Sequence, residues 1–279
     1  DLKRKDEVLA TCASYDEEAQ EHRNAKRFDK ALPLLKEALS YRQSTLGPET
    51  EPVAQNLLSI AAIYDEMSRA DQGTSSKVDD ALRMYTRALT ILEKLHGERD
   101  PSLCPTLTSV GALLMRPGRQ TEALGYYERV VSITEEAEPS TPLKLLAPLA
   151  NVAGVLYGLK RFEEALKVRE RALAIADAKL PGRDPQLVTI IAGVAQALAE
   201  VRQYKKAAAL LERGLEAVES SCGAFAPECV PWLTQLVRAL TFEGRYRKAV
   251  PYARRAVDVC EGGSSKAARV RLAMALANL

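Results

Sequence analysis

Catalytic and metal chemistry requires particular side chains at particular spacings, and this chain offers few of them. The two histidines, His22 and His96, are far apart and belong to no metal-binding motif. The sequence also lacks the glycine-rich phosphate-binding and dinucleotide-binding motifs, the nucleophile elbow of serine hydrolases and the HExxH metalloprotease motif. The Glu163-Glu164 pair falls at a predicted helix start, where acidic side chains favour the positive end of the helix dipole. The sequence therefore predicts no catalytic residue, no metal site and no cofactor.

The five cysteines indicate the redox compartment. They are odd in number and lack metal-ligand spacing, which predicts reduced thiols that fill small apolar spaces in a cytosolic protein. Cys222 and Cys229 flank one loop, so a bridge between them is the alternative interpretation. The N-terminal residues LKRKDEVLA enter a charged helical pattern directly and predict no cleavable signal. We therefore expect a cytoplasmic protein, which could be associated with the cytoskeleton.

Small residues that recur seven residues apart organise the chain. In the reference pair, Ala165 and Ala172, this spacing is two helical turns, so both face the same neighbouring helix and let its backbone approach closely. The other pairs are Ala31/Ala38, Ala81/Ala88, Ala123/Val130, Ala207/Gly214 and Ala249/Ala256. The first members of successive pairs are 42 residues apart, except that Ala31 and Ala81 are 50 residues apart. A fixed period of helix pairs with small crossing residues predicts a solenoid in which each pair buries its apolar face against the next.

A turn-and-helix signature recurs with the same period. It reads RFDKALPLLKEAL at residues 27–39, RFEEALKVRERAL at residues 161–173 and RYRKAVPYARRAV at residues 245–257. Two loops between helix pairs, HGERDP at residues 96–101 and PGRDP at residues 181–185, are also alike. These motifs resemble the tetratricopeptide repeat family, and the 42-residue period resembles the kinesin light chain subfamily, whose inter-repeat loop has the form LGxDHP. The resemblance implies an all-α, right-handed α-solenoid of tetratricopeptide helical hairpins.

The period predicts a single solenoid domain over residues 1–279, with about six repeats and a terminal helix at residues 266–279. The predicted repeats cover residues 8–47, 53–97, 103–138, 145–181, 187–222 and 229–261. The additional residues of the second repeat fall in a stretch with Ser, Gly and Asp, residues 68–77, which cannot continue an apolar stripe. We expect a surface insertion loop there, and a docking or phosphorylation segment is the alternative.

Charge and composition argue against two classes of partner. The net charge is only +2 and 5% of the residues are aromatic, which disfavours a nucleic-acid-binding surface. The most apolar stretch, residues 145–159, contains Pro148 and Gly154 and lies in register with the repeats, so we interpret it as a buried helix and not a membrane span. Residues 1–100 hold 15 basic and 19 acidic side chains, whereas residues 238–279 hold 9 and 3. This asymmetry could favour acidic partners near the C-terminal end or head-to-tail contacts between copies, although a solvated outer face also explains it.

In the resembling family, the first helix of each pair lines a concave groove that receives a ligand. Each first helix has its own crossing residue, and placing it on the packed side assigns mostly small, hydroxyl and amide side chains to that groove. These crossing residues are Ala61, Gly111, Ala153, Ala195 and Val237. The candidate peptide-binding residues are Ser59, Glu66, Thr108, Ser109, Arg116, Asn151, Tyr157, Gln196, Glu200, Thr234, Gln235 and Arg238. The Lys and Asn clamp with which chaperone-binding relatives hold a C-terminal carboxylate is absent at the matching positions, but Arg116 and Arg238 could still attract an acidic ligand.

These features predict a non-catalytic protein–protein interaction module. We expect an adaptor, similar to a kinesin light chain, that binds a peptide or helix of a partner protein in its concave groove. Two other interpretations stay open. One is a structural scaffold that self-associates into homo-oligomers in a cytoskeletal or other assembly, and the other is a regulatory arm of a larger multidomain protein. No nucleic-acid or membrane partner is expected.

Overall fold

The architecture is built from α-helices joined by short turns. A computed structural model describes residues 2–70 and 75–262 of the chain, and within these ranges it contains no β-strand. The α-helices are α1 (Leu2–Asn24), α2 (Phe28–Leu46), α3 (Glu51–Ala70), α4 (Ser75–His96), α5 (Cys104–Leu114), α6 (Gln120–Ala137), α7 (Leu146–Gly158), α8 (Phe162–Lys179), α9 (Pro185–Glu200), α10 (Tyr204–Cys222), α11 (Val230–Phe242) and α12 (Tyr246–Gly262). Short 3₁₀ helices precede α5, α7 and α11, at Pro101–Leu103, Pro142–Leu145 and Pro227–Cys229. The predicted all-α fold is confirmed.

The chain divides after Pro139 into two compact units. In unit 1 (residues 1–139), α1 packs on α2, α3 on α4 and α5 on α6, while α2 contacts α3 and α4 contacts α5. In unit 2 (residues 140–279), the hairpins are α7–α8, α9–α10 and α11–α12, while α8 contacts α9 and α10 contacts α11. Buried aliphatic side chains such as Leu57 in unit 1 and Leu198 in unit 2 fill these interfaces. The extension of one continuous domain over both units stays a prediction.

The small residues of the repeat period lie at helix crossings. In each described hairpin, both members of the pair on the second helix are buried. At Gly214 in α10, a Cβ atom would lie only 2.0 Å from the ring of Trp232 in α11. Glycine at this position therefore makes room for the indole of the next hairpin.

Several hairpin turns close with the same hydrogen bonds. In the turn after α7, the Lys160 amide donates to the Tyr157 carbonyl (3.0 Å) and the Arg161 amide donates to the Leu156 carbonyl (2.9 Å). These are the two bonds of the Schellman motif, which requires a left-handed residue after the helix. The left-handed residues of the equivalent turns have φ between 56° and 79° and are Lys26, Lys160, Arg202 and Gly244. Three turns therefore hold a side chain in a conformation that glycine adopts more easily.

The Asp-Pro loops are helix start signals. The Asp184 carboxylate accepts a hydrogen bond from the Gln186 amide (2.8 Å), and Pro185 occupies the first turn of α9. Asp100 caps the 3₁₀ helix before α5 in the same way, through the Ser102 amide (2.8 Å). Hydrogen bonds from the Ser102 hydroxyl and amide lower the pKa of the Asp100 carboxyl. The HGERDP and PGRDP loops thus set where the first helix of the next hairpin begins.

A periodic set of ion pairs joins successive second helices. Each pair consists of an arginine six residues after the first small residue and a carboxylate 36 residues earlier in the chain. The pairs are Arg129 with Glu93, Arg213 with Asp177 and Arg255 with Glu219. All of these side chains are partly exposed, so each pair contributes at most about 1 kcal/mol. The sequence interpretation missed this set because it followed only the apolar and small positions.

The predicted insertion loop at residues 68–77 is wrong in its extent. Its first three residues continue α3, and its last three belong to α4. The Ser68 hydroxyl donates to the Asp65 carbonyl (2.9 Å), so this polar residue is satisfied inside the helix that it was expected to end. The rest of that stretch, residues 71–74, and the predicted terminal helix, residues 266–279, lie outside the described residues.

Candidate binding site

The twelve predicted site residues lie on the first helices of the hairpins. None is buried, and each is half-buried or exposed. Unit 1 carries Ser59, Glu66, Thr108, Ser109 and Arg116, on or directly after α3 and α5. Unit 2 carries Asn151, Tyr157, Gln196, Glu200, Thr234, Gln235 and Arg238, on α7, α9 and α11. Side chains of both units are therefore accessible at the predicted positions, but their local partners differ.

Several of these side chains already have hydrogen-bond partners within the chain. The Ser59, Ser109 and Thr234 hydroxyls donate to carbonyl oxygens four residues earlier in their own helices, at 3.2, 3.0 and 2.8 Å. Each hydroxyl oxygen can still accept a hydrogen bond from a ligand. Glu66 on α3 is paired with Arg23 on α1, whose Nη2 and Nε lie 2.5 and 2.8 Å from Oε1. The Glu66 carboxylate therefore links α3 to α1 through Arg23.

Unit 2 brings three predicted residues into contact. The Tyr157 hydroxyl at the end of α7 donates to Glu200 Oε1 at the end of α9 (2.7 Å) and accepts from Gln196 Nε2 (3.3 Å). The hydrogen bond to Glu200 raises the pKa of Tyr157, because that carboxylate stabilises the protonated phenol. The Tyr157 ring meets Phe162 of α8 edge-on, with centroids 5.2 Å apart. Neighbouring hairpins are thus linked at their first helices by polar side chains.

Arg169 on α8 completes this group, which we call the Arg169 cluster (Tyr157, Arg169, Gln196 and Glu200). Its Nη1 donates to the Gly193 carbonyl of α9 and lies 3.4 Å from Gln196 Oε1. Its guanidinium carbon lies 5.5 Å from the Tyr157 ring centroid, within cation–π distance. Arg169 is half-buried, and burial lowers its pKa because the charged form is partly desolvated. Among the described residues, no carboxylate pairs with Arg169 and no group accepts a hydrogen bond from its Nη2 or Nε.

A recess lies between α9, α10 and α11 in the same unit. The recess is shallow, with a free volume of only about 10 Å³ between the side chains that line it. Tyr204 and Phe242 form an aromatic wall, with stacked rings whose centroids are 5.0 Å apart. The predicted site residues Gln235 and Arg238 also line the recess. Because Phe242 is 61% exposed, a ligand side chain can reach the aromatic wall from solvent.

The repeated hairpins agree with a comparison of the sequence with protein-family models. Models of the tetratricopeptide repeat match residues 11–50, 75–136 and 145–220, which together make up more than half of the chain. The chain belongs to the tetratricopeptide repeat family. A comparison with proteins of curated function gives no match.

Solved tetratricopeptide repeat structures are similar to this chain at low sequence identity. The TPR-like repeats of a protein from Podosopora anserina, assigned as a kinesin light chain, are 20% identical, with a TM-score of 0.62 over 75% of this chain and 95% of that chain. BtubC (BKLC) from P. vanneervenii is 16% identical, with a TM-score of 0.60 over 91% of each chain. A signal transduction ATPase with a tetratricopeptide repeat sensor, from Pyrococcus horikoshii, is 17% identical, with a TM-score of 0.63 over 95% of this chain and 38% of that chain. These similarities establish the fold, and the predicted resemblance to kinesin light chain repeats is confirmed.

The tetratricopeptide repeat fold indicates a protein–protein interaction scaffold, and the family is typically non-catalytic. In the described ranges, no three His, Cys, Asp or Glu side chains are placed to hold a metal ion. All five cysteines are free thiols. Every helix between residues 2–70 and 75–262 is too short or too polar to cross a membrane.

Three residues of this tetratricopeptide repeat site were missed by the sequence prediction, which considered first helices only. Phe162, Arg169 and Tyr204 lie on second helices. Phe162 and Tyr204 stand three residues before the first small residue of their repeats, and Arg169 stands four residues after it. The signal that could have revealed Arg169 is its repeat position, because the other repeats have apolar or aromatic residues there, namely Leu35, Tyr85, Tyr127, Leu211 and Ala253.

Proposed function

We propose that this protein is an adaptor that binds an acidic segment of a partner protein on unit 2, along α7, α9 and α11. Arg169 is the residue that would hold a ligand carboxylate. The observation that carries the proposal is that its guanidinium is partly desolvated and lacks a carboxylate partner among the described residues. Buried charges are normally paired, because an unpaired charge loses hydration without compensation. A ligand carboxylate would accept from Nη2 and Nε in a bidentate geometry and supply the missing partner.

The repeat position of Arg169 supports a role in binding and not in folding. At this position Leu35, Tyr85, Tyr127 and Leu211 are buried in their own hairpins. An apolar side chain is therefore what the packing of the repeat favours, and a charge there contributes less to stability. A residue that departs from the type favoured by packing at its repeat position is a candidate functional residue.

The recess supplies a second contact for the same ligand. An extended segment that placed a carboxylate at Arg169 would continue along α9 towards α11, where Tyr204 and Phe242 offer an aromatic surface. An aromatic or long aliphatic side chain fits this wall, and Arg238 at the recess favours further acidic groups. The amides of the exposed Gln196 and the half-buried Gln235 can bond to the ligand backbone. The expected ligand is thus acidic with at least one large apolar residue.

A peptide array tests this proposal on the full chain. Short peptides that combine an aromatic residue with Asp or Glu residues are each matched by a copy in which Asn or Gln replaces the acids. The strongest binders are then measured by fluorescence anisotropy with wild type, Arg169→Leu and Arg183→Leu. Arg183 is exposed in the loop before α9, so its replacement removes the same charge from the same unit without touching the Arg169 cluster.

We expect wild type and Arg183→Leu to prefer the acidic member of each peptide pair. Arg169→Leu should bind that member about tenfold more weakly or worse, since a hydrogen-bonded charge pair contributes on the order of 1.5–3 kcal/mol. Equal affinity of wild type and Arg169→Leu for every peptide would show that this arginine holds no ligand. Equal affinity for the acidic and amide peptides would refute an acidic partner.

Self-association is a second candidate, favoured by exposed apolar side chains on the last described hairpin. Phe242 and Tyr246 are each 61% exposed and Val250 is 47% exposed. Large apolar side chains left in solvent mark interaction surfaces when they lie together. Light scattering over a concentration series should then show a dimer or larger species for wild type and a monomer for the double variant Tyr246→Ser, Val250→Ser. A strictly monomeric wild type would dismiss this candidate.

A further inference from the structure

A pair of cysteines in the loop between α10 and α11 takes no part in the proposed binding site. Cys222 is the last residue of α10 and is exposed, and its Sγ donates to the Val218 carbonyl (3.1 Å). Cys229 ends the following 3₁₀ helix and is fully buried, and its Sγ donates to the Gly223 carbonyl (3.4 Å). The Cys229 thiol therefore lies against the residue that directly follows Cys222. One exposed and one buried cysteine thus lie close together at the C-terminal end of α10.

The backbone of the loop brings the two cysteines close to each other. Gly223 has a φ of 95°, which turns the chain back at the end of α10, and its amide donates to the Glu219 carbonyl (2.8 Å). The Ala226 amide then donates to the Gly223 carbonyl (3.2 Å), and the Cys229 amide donates to the Ala226 carbonyl (3.0 Å). These successive turns bring Cys229 back to the Gly223 carbonyl, which accepts from its Sγ directly next to Cys222.

The thiol pair is particular to this loop. In the repeat register, Cys222 corresponds to His96 and Leu180, whereas Cys229 corresponds to the buried Leu103 and Leu187. Cys229 thus stands where other repeats have a core leucine. Cys222 stands where they have a residue that is not buried. The packing of the repeat does not require a cysteine at residue 229, because leucine fills this position in three other hairpins, as Leu103, Leu145 and Leu187.

We propose that Cys222 and Cys229 form a reversible intramolecular disulfide by exchange with a low-molecular-weight disulfide such as oxidised glutathione. The Cys222 thiolate attacks one sulfur of that disulfide, whose S–S bond breaks and releases one thiolate. The Cys229 thiolate then attacks the Cys222 sulfur of the mixed disulfide, and the second small thiolate leaves. The two released thiolates take up the two protons lost by the cysteines, so the protein loses two electrons and the small disulfide becomes two thiols.

Exposure sets the order of these steps. Cys222 meets the small disulfide first because it is exposed, whereas Cys229 is buried, and burial raises its pKa and makes it the poorer first nucleophile. Since Cys222 stays accessible, a reductant can reach the bond again, which makes it a switch and not a structural bridge. Oxidation would fasten to α10 the loop that carries Phe225, which is 67% exposed and lies 5.8 Å from the Arg255 guanidinium.

Mass spectrometry of the full chain tests the switch. The protein is equilibrated with oxidised glutathione, unfolded, alkylated and digested with trypsin, which releases residues 214–238 as one peptide containing both cysteines. We expect this peptide to be two hydrogen masses lighter and not alkylated, and to regain two alkylation sites after dithiothreitol. Cys104, a half-buried thiol on α5, serves as the internal reference and should remain alkylated.

The variant Cys222→Ser changes an exposed residue and should keep the fold, while its Cys229 should stay free under the same treatment. Alkylation of both cysteines in oxidised wild type would overturn the proposal. So would a glutathione adduct that persists on Cys222 beside a free Cys229, because the second exchange step would then be absent. Peptide binding at Arg169 is a separate measurement, so failure of one proposal leaves the other intact.

Discussion

At the scale of single residues, Arg169 is where binding and stability oppose one another. Replacing it by leucine should raise the free energy of unfolding by about 1 kcal/mol, because an unpaired, partly desolvated charge gives way to the apolar residue of the repeat. Urea unfolding followed by circular dichroism measures the change. The converse variant, Leu211→Arg, should lose stability by several times as much, since Leu211 is buried. A loss of stability in Arg169→Leu would mean that its bond to the Gly193 carbonyl matters more than its desolvation.

Glu200 gives a second prediction at this scale. Its carboxylate accepts from the Tyr157 hydroxyl within the Arg169 cluster and therefore repels an incoming acidic ligand. Glu200→Gln keeps an acceptor for Tyr157 and removes the charge, so acidic peptides should bind about threefold to tenfold more tightly, with the gain shrinking at high salt. Anisotropy titrations at two salt concentrations measure it. Glu216→Gln on α10 is an exposed control that should leave affinity unchanged.

Residue partners were harder to predict from the sequence than residue positions. The repeat register placed Tyr157, Gln196 and Glu200 on the groove side of their helices, and in the structure Tyr157 is half-buried while Gln196 and Glu200 are exposed. It could not show that long side chains of different hairpins reach one another, since that depends on rotamers and on the distance between helices. The sequence prediction missed Arg169 because it assigned all residues of the second helices to packing. The signal was nevertheless visible, since Arg169 is a charged residue at a repeat position that is otherwise apolar or aromatic.

At the scale of helices, the crossing of α10 and α11 depends on the pair Gly214 and Trp232. Gly214→Ala would place a Cβ 2.0 Å from the indole ring, so the free energy of unfolding should fall by at least about 2 kcal/mol. The preceding repeat has Ala172 and Ile190 at these positions, so Trp232→Ile should relieve the clash. A double-mutant cycle by urea unfolding should therefore show strong favourable coupling. If the two substitutions had additive effects on the free energy of unfolding, the destabilisation by Gly214→Ala would not come from its contact with Trp232.

The turns give a prediction with the opposite sign. Lys160 has a φ of 60°, a conformation that costs most side chains about 1 kcal/mol and glycine very little. Lys160→Gly should therefore stabilise the protein by about 0.5 kcal/mol after the larger entropy of the unfolded glycine chain is counted. The same replacement at Lys167, exposed inside α8, should destabilise it by about 1 kcal/mol. Thermal unfolding of both variants tests this contrast, and a destabilised Lys160→Gly would contradict it.

Helix positions followed from the sequence more reliably than helix ends. Pairs such as Ala165 and Ala172 fixed the second helices, because two turns of helix bring both residues to one neighbour. The ends depend on local hydrogen bonds that composition does not reveal. Ser68 was read as a loop residue, yet its hydroxyl bonds inside α3 and the helix runs on to Ala70.

At the scale of the whole molecule, the sequence predicted the family and the hairpin order from its 42-residue period. That period is a property of nearest neighbours, since each hairpin contacts the one before and the one after within its unit. It therefore carries little information about how far cooperativity extends along the chain. The division into two compact units after Pro139 was not predicted, because the repeat spacing continues across this point without interruption.

Because each hairpin is stabilised by its neighbours, a destabilising substitution should increase hydrogen exchange mainly in the hairpins next to it. In a repeat array, a local defect raises the opening of its own hairpins far more than that of distant ones. Hydrogen exchange of Gly214→Ala should accordingly be at least about tenfold faster than wild type in α10 and α11, and unchanged in α1 to α4. The matched defect Gly111→Ala, where a Cβ would lie 2.9 Å from the Tyr127 ring, should show the reverse distribution, with faster exchange in α5 and α6. Uniformly faster exchange in both variants would instead require that the two units unfold as one cooperative body, and single-site stabilities could then not be assigned to individual hairpins.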